Sequence, residues 1–220
     1  GSVKNLDWLR ASYGEDLVIH HDVDIRDYER LAPVVRTTKP HRVLHTAGQV
    51  AVTTSVTDPR SDFAINALGT FNVCEAIRNE SPDSSLIFTS TNKVYGGLEG
   101  LEVREEPTRY VLPGHPHGVS EEHPLDFHSP YGCSKGAADQ YVRDYARIYG
   151  LSTLVYRMSC IYGPRQFGIE DQGWLAWFLI AAKKGAPITI FGDGKQARDV
   201  LFIEDLVNAF LMGFEKMPTH

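Results

Sequence analysis

Cysteine is scarce in this 220-residue chain, and Cys74, Cys133 and Cys160 stand far apart. Their spacing matches no zinc pattern, and an odd number suits the reduced thiols of a cytoplasmic protein better than a disulfide framework. Positive charge is in deficit: 22 Lys and Arg face 28 Asp and Glu, a net charge of −6. Nucleic acid is held through cationic surface, so that class of partner is disfavoured. No apolar run approaches the length of a membrane span, and no signal-peptide pattern appears. Repeats and low-complexity tracts are missing too. His45, His115, His117, His123 and His128 fall at no metal-binding spacing, which leaves them as core, surface or loop residues with no metal expected. Gly1-Ser2 reads as an expression remnant and is set aside.

One further absence matters more. No Gly-x-Gly-x-x-Gly stands between a strand and a helix anywhere in the sequence. A dinucleotide site of the doubly wound kind holds its pyrophosphate at such a turn, in the first βα unit. Either no dinucleotide binds, or that unit lies outside these residues.

What is present is an alternation. Leu17-Val18-Ile19-His20-His21 reads as a strand, 27–38 as a helix, and Arg42-Val43-Leu44-His45 as a short buried strand. Asp58-Pro59 opens a long helical pattern, and Ser85-Leu86-Ile87-Phe88-Thr89-Ser90 is the next strand. A strand at 153–157, a helix at 173–184, a strand at 187–191 and a helix at 204–214 follow. Such alternation predicts an α/β fold with a parallel sheet covered on both faces. The segment 97–128 is long and rich in Gly, Pro and His, a length that marks a functional or disordered loop.

Chemistry gathers at Ser129-Pro130-Tyr131-Gly132-Cys133-Ser134-Lys135. Ser129 is a plausible N-cap with Pro130 at the first helical position. Ala138, Tyr141, Val142, Tyr145, Ala146 and Tyr149 continue the segment at helical steps, so Tyr131 and Lys135 share a face one turn apart. An ammonium beside a phenol lowers the phenol's pKa, and a tyrosine so tuned can act as general base toward an alcohol. Tyr-x-x-x-Lys alone also describes an ordinary helix start with an exposed lysine.

Its company decides between these. Asp24-Ile25-Arg26-Asp27, His45-Thr46-Ala47-Gly48-Gln49-Val50-Ala51-Val52-Thr53-Thr54-Ser55, Ser90-Thr91-Asn92-Lys93-Val94-Tyr95-Gly96, Tyr162-Gly163-Pro164-Arg165-Gln166-Phe167 and Phe191-Gly192-Asp193-Gly194-Lys195-Gln196-Ala197-Arg198-Asp199-Val200 occur in that order around the tyrosine helix. Together they resemble the extended short-chain dehydrogenase/reductase family of NAD-dependent nucleotide-sugar epimerases and dehydratases, over almost the whole chain. Within that family the likeness is strongest to members that invert C2 of a CDP-linked deoxyhexose.

The resemblance implies a Rossmann-like doubly wound parallel sheet without its N-terminal βαβ unit and without most of the small substrate domain. It divides the chain into a partial NAD-binding domain, 3–158, and the start of a substrate-binding part, 159–220, interleaved with the last Rossmann elements. It implies NAD as cofactor, a nucleotide-sugar substrate with a CDP-deoxyhexose favoured, a cytoplasmic homo-oligomer of at least two chains, and inactivity of this chain taken alone. Thr91 would hold the sugar hydroxyl, Tyr131 would take its proton, and Lys135 would hold the nicotinamide ribose and tune Tyr131. Asp24 and Ile25 would contact adenine, while Thr46, Ala47, Gly48 and Ser90 would line the cofactor. Gln49, Thr53, Thr91, Gln166 and Arg198 would face substrate, with the Arg198 guanidinium on the diphosphate.

Simpler roles compete for some of these. Asp24 could be a helix N-cap, Thr91 a strand end, Arg198 part of a solvated charge run, and the Trp174, Trp177 and Phe178 stripe core rather than a stacking platform. Dehydratases of the family carry an acid and a base after the threonine. Here Asn92 and Lys93 occupy those positions, which predicts an epimerase. Cys160 stands where many relatives have asparagine. The loop 97–128 is placed to lid the sugar pocket. Alternatives are a C4-epimerase or reductase acting on a UDP- or dTDP-sugar, and a non-catalytic NAD- or sugar-binding protein.

Overall fold

The computed structural model describes residues 3–217; Gly1-Ser2 and the last three residues lie outside them. In chain order the elements are α1 (Val3–Tyr13), α2 (Tyr28–Thr38), β1 (Arg42–His45), α3 (Val52–Thr57), α4 (Pro59–Phe63), α5 (Gly69–Glu80), β2 (Ser85–Thr91), β3 (Arg104–Glu105), β4 (Tyr110–Val111), α6 (Ser129–Tyr149), β5 (Thr153–Met158), β6 (Cys160–Tyr162), α7 (Trp174–Lys184), β7 (Val200–Phe202) and α8 (Ile203–Lys216). Short 3₁₀ turns cover Glu15–Leu17 and Asn92–Tyr95, and a π-helical turn, Ala64–Leu68, joins α4 to α5.

The sheet is parallel and ordered β1-β2-β5, with Val43 beside Leu86 and Phe88 beside Val155. Its centre, β2, is buried along almost its full length, as a near-continuous apolar run requires when both faces are covered. Leu86 and Phe88 pack with Val73, Cys74 and Ile77 of α5 and Ala138 and Val142 of α6. Ile87 points the other way, to Leu206, Phe210 and Phe214 of α8. Each such side chain contributes on the order of 1.5–3 kcal/mol by leaving water. The expected α/β architecture with helices on both faces is what forms.

Two expected strands do not form. Leu17-Val18-Ile19-His20-His21 is a 3₁₀ turn running into irregular chain, with Leu17 78% and Ile19 77% exposed. A strand exists only as a ladder, and among the described residues β1 is paired on one edge alone, by β2. Residues 187–191 are likewise irregular, with Phe191 76% exposed. The pairing in that region is instead β6 with β7, Cys160 to Val200 through Tyr162 to Phe202, in stretches whose motif letters had concealed a strand.

Caps also shifted. Asp27, not Asp24, caps α2, its carboxylate accepting the Arg30 N–H at 3.2 Å. Asp24 binds Arg26, whose Nη2 donates at 2.6 Å. At the head of α6, Ser129 belongs to the helix and has φ 65°, yet its Oγ accepts the Gly132 N–H at 3.2 Å. A non-glycine residue held at positive φ costs on the order of 1–3 kcal/mol, a strain found mainly at working sites.

Candidate active site

A cavity of about 600 Å³ opens at the carboxyl ends of β1, β2 and β5, the place where open α/β sheets bind ligands. Among the expected residues, Thr46, Gly48, Thr53, Ser90, Thr91, Tyr131, Lys135, Gln166 and Arg198 line it. A smaller hollow of about 260 Å³ between α2, β1 and α5 collects Ile25, Thr46 and Ala47. Asp24 and Gln49 line neither. The Gln49 side chain turns into the fold, its Nε2 donating to the Asp62 carboxylate at 2.8 Å and to the Ala51 carbonyl at 2.9 Å.

Parallel register puts the end of β2 beside the head of α6. Thr91 closes β2, its Oγ1 accepting the Lys93 N–H at 3.2 Å, and it shares the cavity wall with the Tyr131 phenol. Tyr131 is buried, and burial raises its pKa above the ordinary tyrosine value; the Thr91 hydroxyl acts to lower it and Asp62 to raise it. That corrects the expectation of a depressed phenol pKa. The Lys135 ammonium, expected to do the depressing, instead donates to the Thr89 carbonyl at 2.6 Å and lies 4.2 Å from the centre of the Phe88 ring. Burial pulls Lys135 down to about 8, against the raising influence of Asp139 and Asp62.

Ser90 is fixed rather than free. Its Oγ donates to Asp139 at 2.7 Å, and Asp139 takes a two-pronged ion pair from Arg157, both bonds 2.9 Å. Arg157 also donates to the Tyr95 hydroxyl at 3.0 Å, so β2, the turn after it, α6 and β5 are tied at one point. The sequence did not single out Asp139, Arg157 or Tyr95. Asp62 and Asn66 were missed as well. Asn66 lies in the π turn, and its amide accepts the Gln49 N–H at 2.9 Å and donates to the Gln49 carbonyl at 3.0 Å. The sequence reading, one long helical pattern opened by Asp58-Pro59, gave no sign of such a turn.

The far wall of the cavity carries Cys160, Gln166, Asp171 and Trp174. Trp174 is thus a cavity residue rather than plain core, and its Nε1 donates to the Cys160 sulfur at 3.2 Å. Gln166 donates to the Ile161 carbonyl at 3.2 Å while its buried Oε1 has no partner, an acceptor free for a hydroxyl. The loop 97–128 contributes no residue to the cavity lining. It forms the β3–β4 hairpin, and Tyr110 donates to Asp193 at 2.6 Å.

The donor set fits the ribose and nicotinamide half of NAD: a phenol, an ammonium and a glycine backbone share one wall. A Cβ on Gly48 would stand 3.1 Å from Asn66 Oδ1 and 3.9 Å from Lys135 Nζ, so glycine keeps that approach open. Among the described residues no cluster of His, Cys, Asp and Glu could hold a metal ion.

Comparison with known proteins agrees with this geometry. The model of the NAD dependent epimerase/dehydratase family matches residues 4–219. A CDP-paratose 2-epimerase of Salmonella typhi is 48% identical over 96% of this chain and 63% of that protein. The UDP-glucose 4-epimerase of Thermotoga maritima, solved with UDP-glucose, superimposes with a TM-score of 0.78 at 30% identity, over 98% of this chain and 62% of that one. The UDP-glucose 4-epimerase of Thermus thermophilus, solved with NAD, gives 0.72 at 32% identity, over 87% and 58%. The chain thus spans less than two thirds of the length of each.

Proposed function

The chain belongs to the NAD dependent epimerase/dehydratase family, and from that premise we propose that the whole protein is an NAD-dependent nucleotide-sugar epimerase that inverts C2 of a CDP-linked deoxyhexose. The observation that carries the epimerase reading is the Thr91–Tyr131 pair on the cavity wall, followed by Asn92 and Lys93 rather than two carboxylates. Loss of water needs a proton donor for the departing hydroxyl and a base for the adjacent carbon, and neither stands beside Thr91. The choice of C2 and CDP is supported by the 48% identical CDP-paratose 2-epimerase.

In this reading Thr91 holds the reacting hydroxyl and Tyr131 takes its proton. The chemistry NAD supplies when bound is reversible hydride uptake at the carbinol carbon. Tyr131 returns the proton to the ketone oxygen once the sugar has presented its other face, for which the cavity gives room. Lys135, one turn along the same helix, holds the ribose, its ammonium resting on the Thr89 carbonyl rather than on the phenol. Arg198 neutralises the diphosphate, and Thr53 and Gln166 meet the sugar. Residues 3–158 act as the cofactor part and 159–220 as the start of the substrate part. The protein works as a homo-oligomer of at least two chains, supported by exposed Val56, Phe63, Tyr141 and Tyr149 on its helices.

The test is a CDP-deoxyhexose carrying deuterium at C2, given to the full-length enzyme and followed by mass and proton spectra. Label retained at an inverted C2 is expected. Loss of label to solvent would indicate deprotonation instead, and a product lighter by one water would restore the dehydratase. Turnover of a UDP-sugar at C4 alone would favour the alternative carried by the UDP-glucose 4-epimerases.

A further inference from the structure

Directly beneath the Tyr131–Lys135 turn sits a carboxylate that the mechanism above does not use. Asp62, on α4, is 1% exposed. Its Oδ2 accepts the Ser134 hydroxyl at 2.5 Å, and its Oδ1 accepts the Asn66 amide at 3.1 Å and the Gln49 amide at 2.8 Å. Asn66 also donates to Ser134 Oγ at 3.1 Å. These partners come from three separate stretches: the turn of α6 that carries Tyr131 and Lys135, the π turn, and the chain leaving β1.

We propose that Asp62 is a positioning residue of this site: it clamps Ser134 of the Tyr131–Lys135 turn to Asn66 and Gln49, and supplies the fixed anion beneath the Lys135 ammonium. The inference rests on the roles given above to Tyr131 and Lys135.

Chemical economy argues against a purely structural carboxylate. Burying a charge costs several kcal/mol, and here every direct partner is a neutral donor. An ionised carboxylate is acceptor-only and so matches three donors, which an asparagine could not do without facing one of them with an N–H. The remaining benefit of the charge falls on Lys135. Charged and titratable groups acting on that ammonium are Asp139 from α6, Asp62 from α4 and His45 from β1, with Arg157 of β5 already paired to Asp139. Desolvation favours the neutral amine, and the two carboxylates favour the ammonium. Of the two, Asp139 acts the more strongly on Lys135 and is also paired to Arg157, while Asp62 adds to it and has no cation partner among the described residues. The π turn is the backbone device that makes the clamp: one extra residue brings Asn66 under Gln49 and beside Asp62.

Asp62→Asn and Ser134→Ala in the full-length protein separate the two parts of the role. With lysine labelled at Cε and the Lys135 resonance assigned by Lys135→Met, Asp62→Asn is expected to shift Lys135 titration downward, whereas Ser134→Ala leaves it in place. Both variants are expected to lower kcat by about 10²-fold, the scale for a misplaced catalytic group, with KM for the CDP-sugar within threefold. An unmoved Lys135 titration in folded Asp62→Asn overturns the anion role. Unchanged kcat in folded Ser134→Ala, or KM rising in step with falling kcat, overturns the clamp. Should Asp62→Asn fail to fold by circular dichroism, Ser134→Ala decides alone, since it removes only one hydroxyl. Should Tyr131→Phe prove fully active, the base assignment above fails, while the Lys135 titration, which needs no substrate, still judges Asp62.

Discussion

Single residues here take their titration behaviour from what buries them. Tyr131→Phe in the full-length enzyme is expected to lower turnover by about 10²–10⁴-fold, the usual contribution of a general acid–base group, while NAD binding persists. Turnover assays beside fluorescence titration of NAD check it; activity within a few-fold of wild type rejects Tyr131 as base. A second expectation concerns His45. Burial holds its imidazole down to about 3, and its Nε2 pairs with Thr70 Oγ1 at 3.0 Å. The unfolded chain binds a proton at this residue near its ordinary value of 6.5 and the folded chain does not, so folded stability falls as pH drops from about 6.5 toward 3. Thermal midpoints measured between pH 7 and 5, above most carboxylate titrations, are expected to decline in wild type and to flatten in His45→Gln. An equal decline in both would place the acid sensitivity elsewhere. Lys135 acts with the same sign in an alkaline window: lowered to about 8, it makes stability rise as pH climbs from about 8 to its ordinary 10.5.

Among the elements, α6 is the most constrained. Gly136 sits in its interior where alanine would raise intrinsic helix propensity by about 1 kcal/mol. A Cβ there would lie 2.5 Å from the Phe127 ring, which packs against the helix just before its start. Gly136→Ala is therefore expected to lower the thermal midpoint despite the better propensity, and Phe127→Leu in the same chain to recover part of the loss. A higher midpoint for Gly136→Ala would mean that Phe127 moves aside freely. Gly163 plays a similar part between β6 and α8, where a Cβ would run into Ile203 Cγ2. Helices with a clear apolar stripe were legible in advance, α2, α6 and α8 among them, though the caps read for α2 and α6 fell elsewhere: Asp27 rather than Asp24 caps α2, and Ser129 lies inside α6. The strands at 17–21 and 187–191 were not, because an apolar run becomes a strand only when a neighbour supplies the other half of the ladder.

For the molecule as a whole, the cofactor expectation follows from the missing glycine turn. NAD titrated into the 220-residue chain by calorimetry is expected to bind weakly, since no described helix start follows a glycine-rich turn that could take the pyrophosphate. Micromolar affinity would move the cofactor site away from the Tyr131 wall. Order in the chain settled a good deal by itself: the α/β alternation from hydrophobic period and the family from six motifs in sequence, whose resemblance pointed to Thr91 beside the Tyr131 and Lys135 spacing. Packing decided the rest. It turned Gln49 inward and Trp174 toward the cavity, set the Lys135 ammonium on Thr89, and raised the Tyr131 phenol that spacing alone said would fall. It also assembled Asp62, Asn66 and Ser134, and Ser90, Asp139 and Arg157, from stretches far apart in the chain. Periodicity and motif are local properties and survive in one dimension. Burial and the partner a polar group finds depend on which distant segments meet, and that is fixed only when the sheet and its helices close on one another.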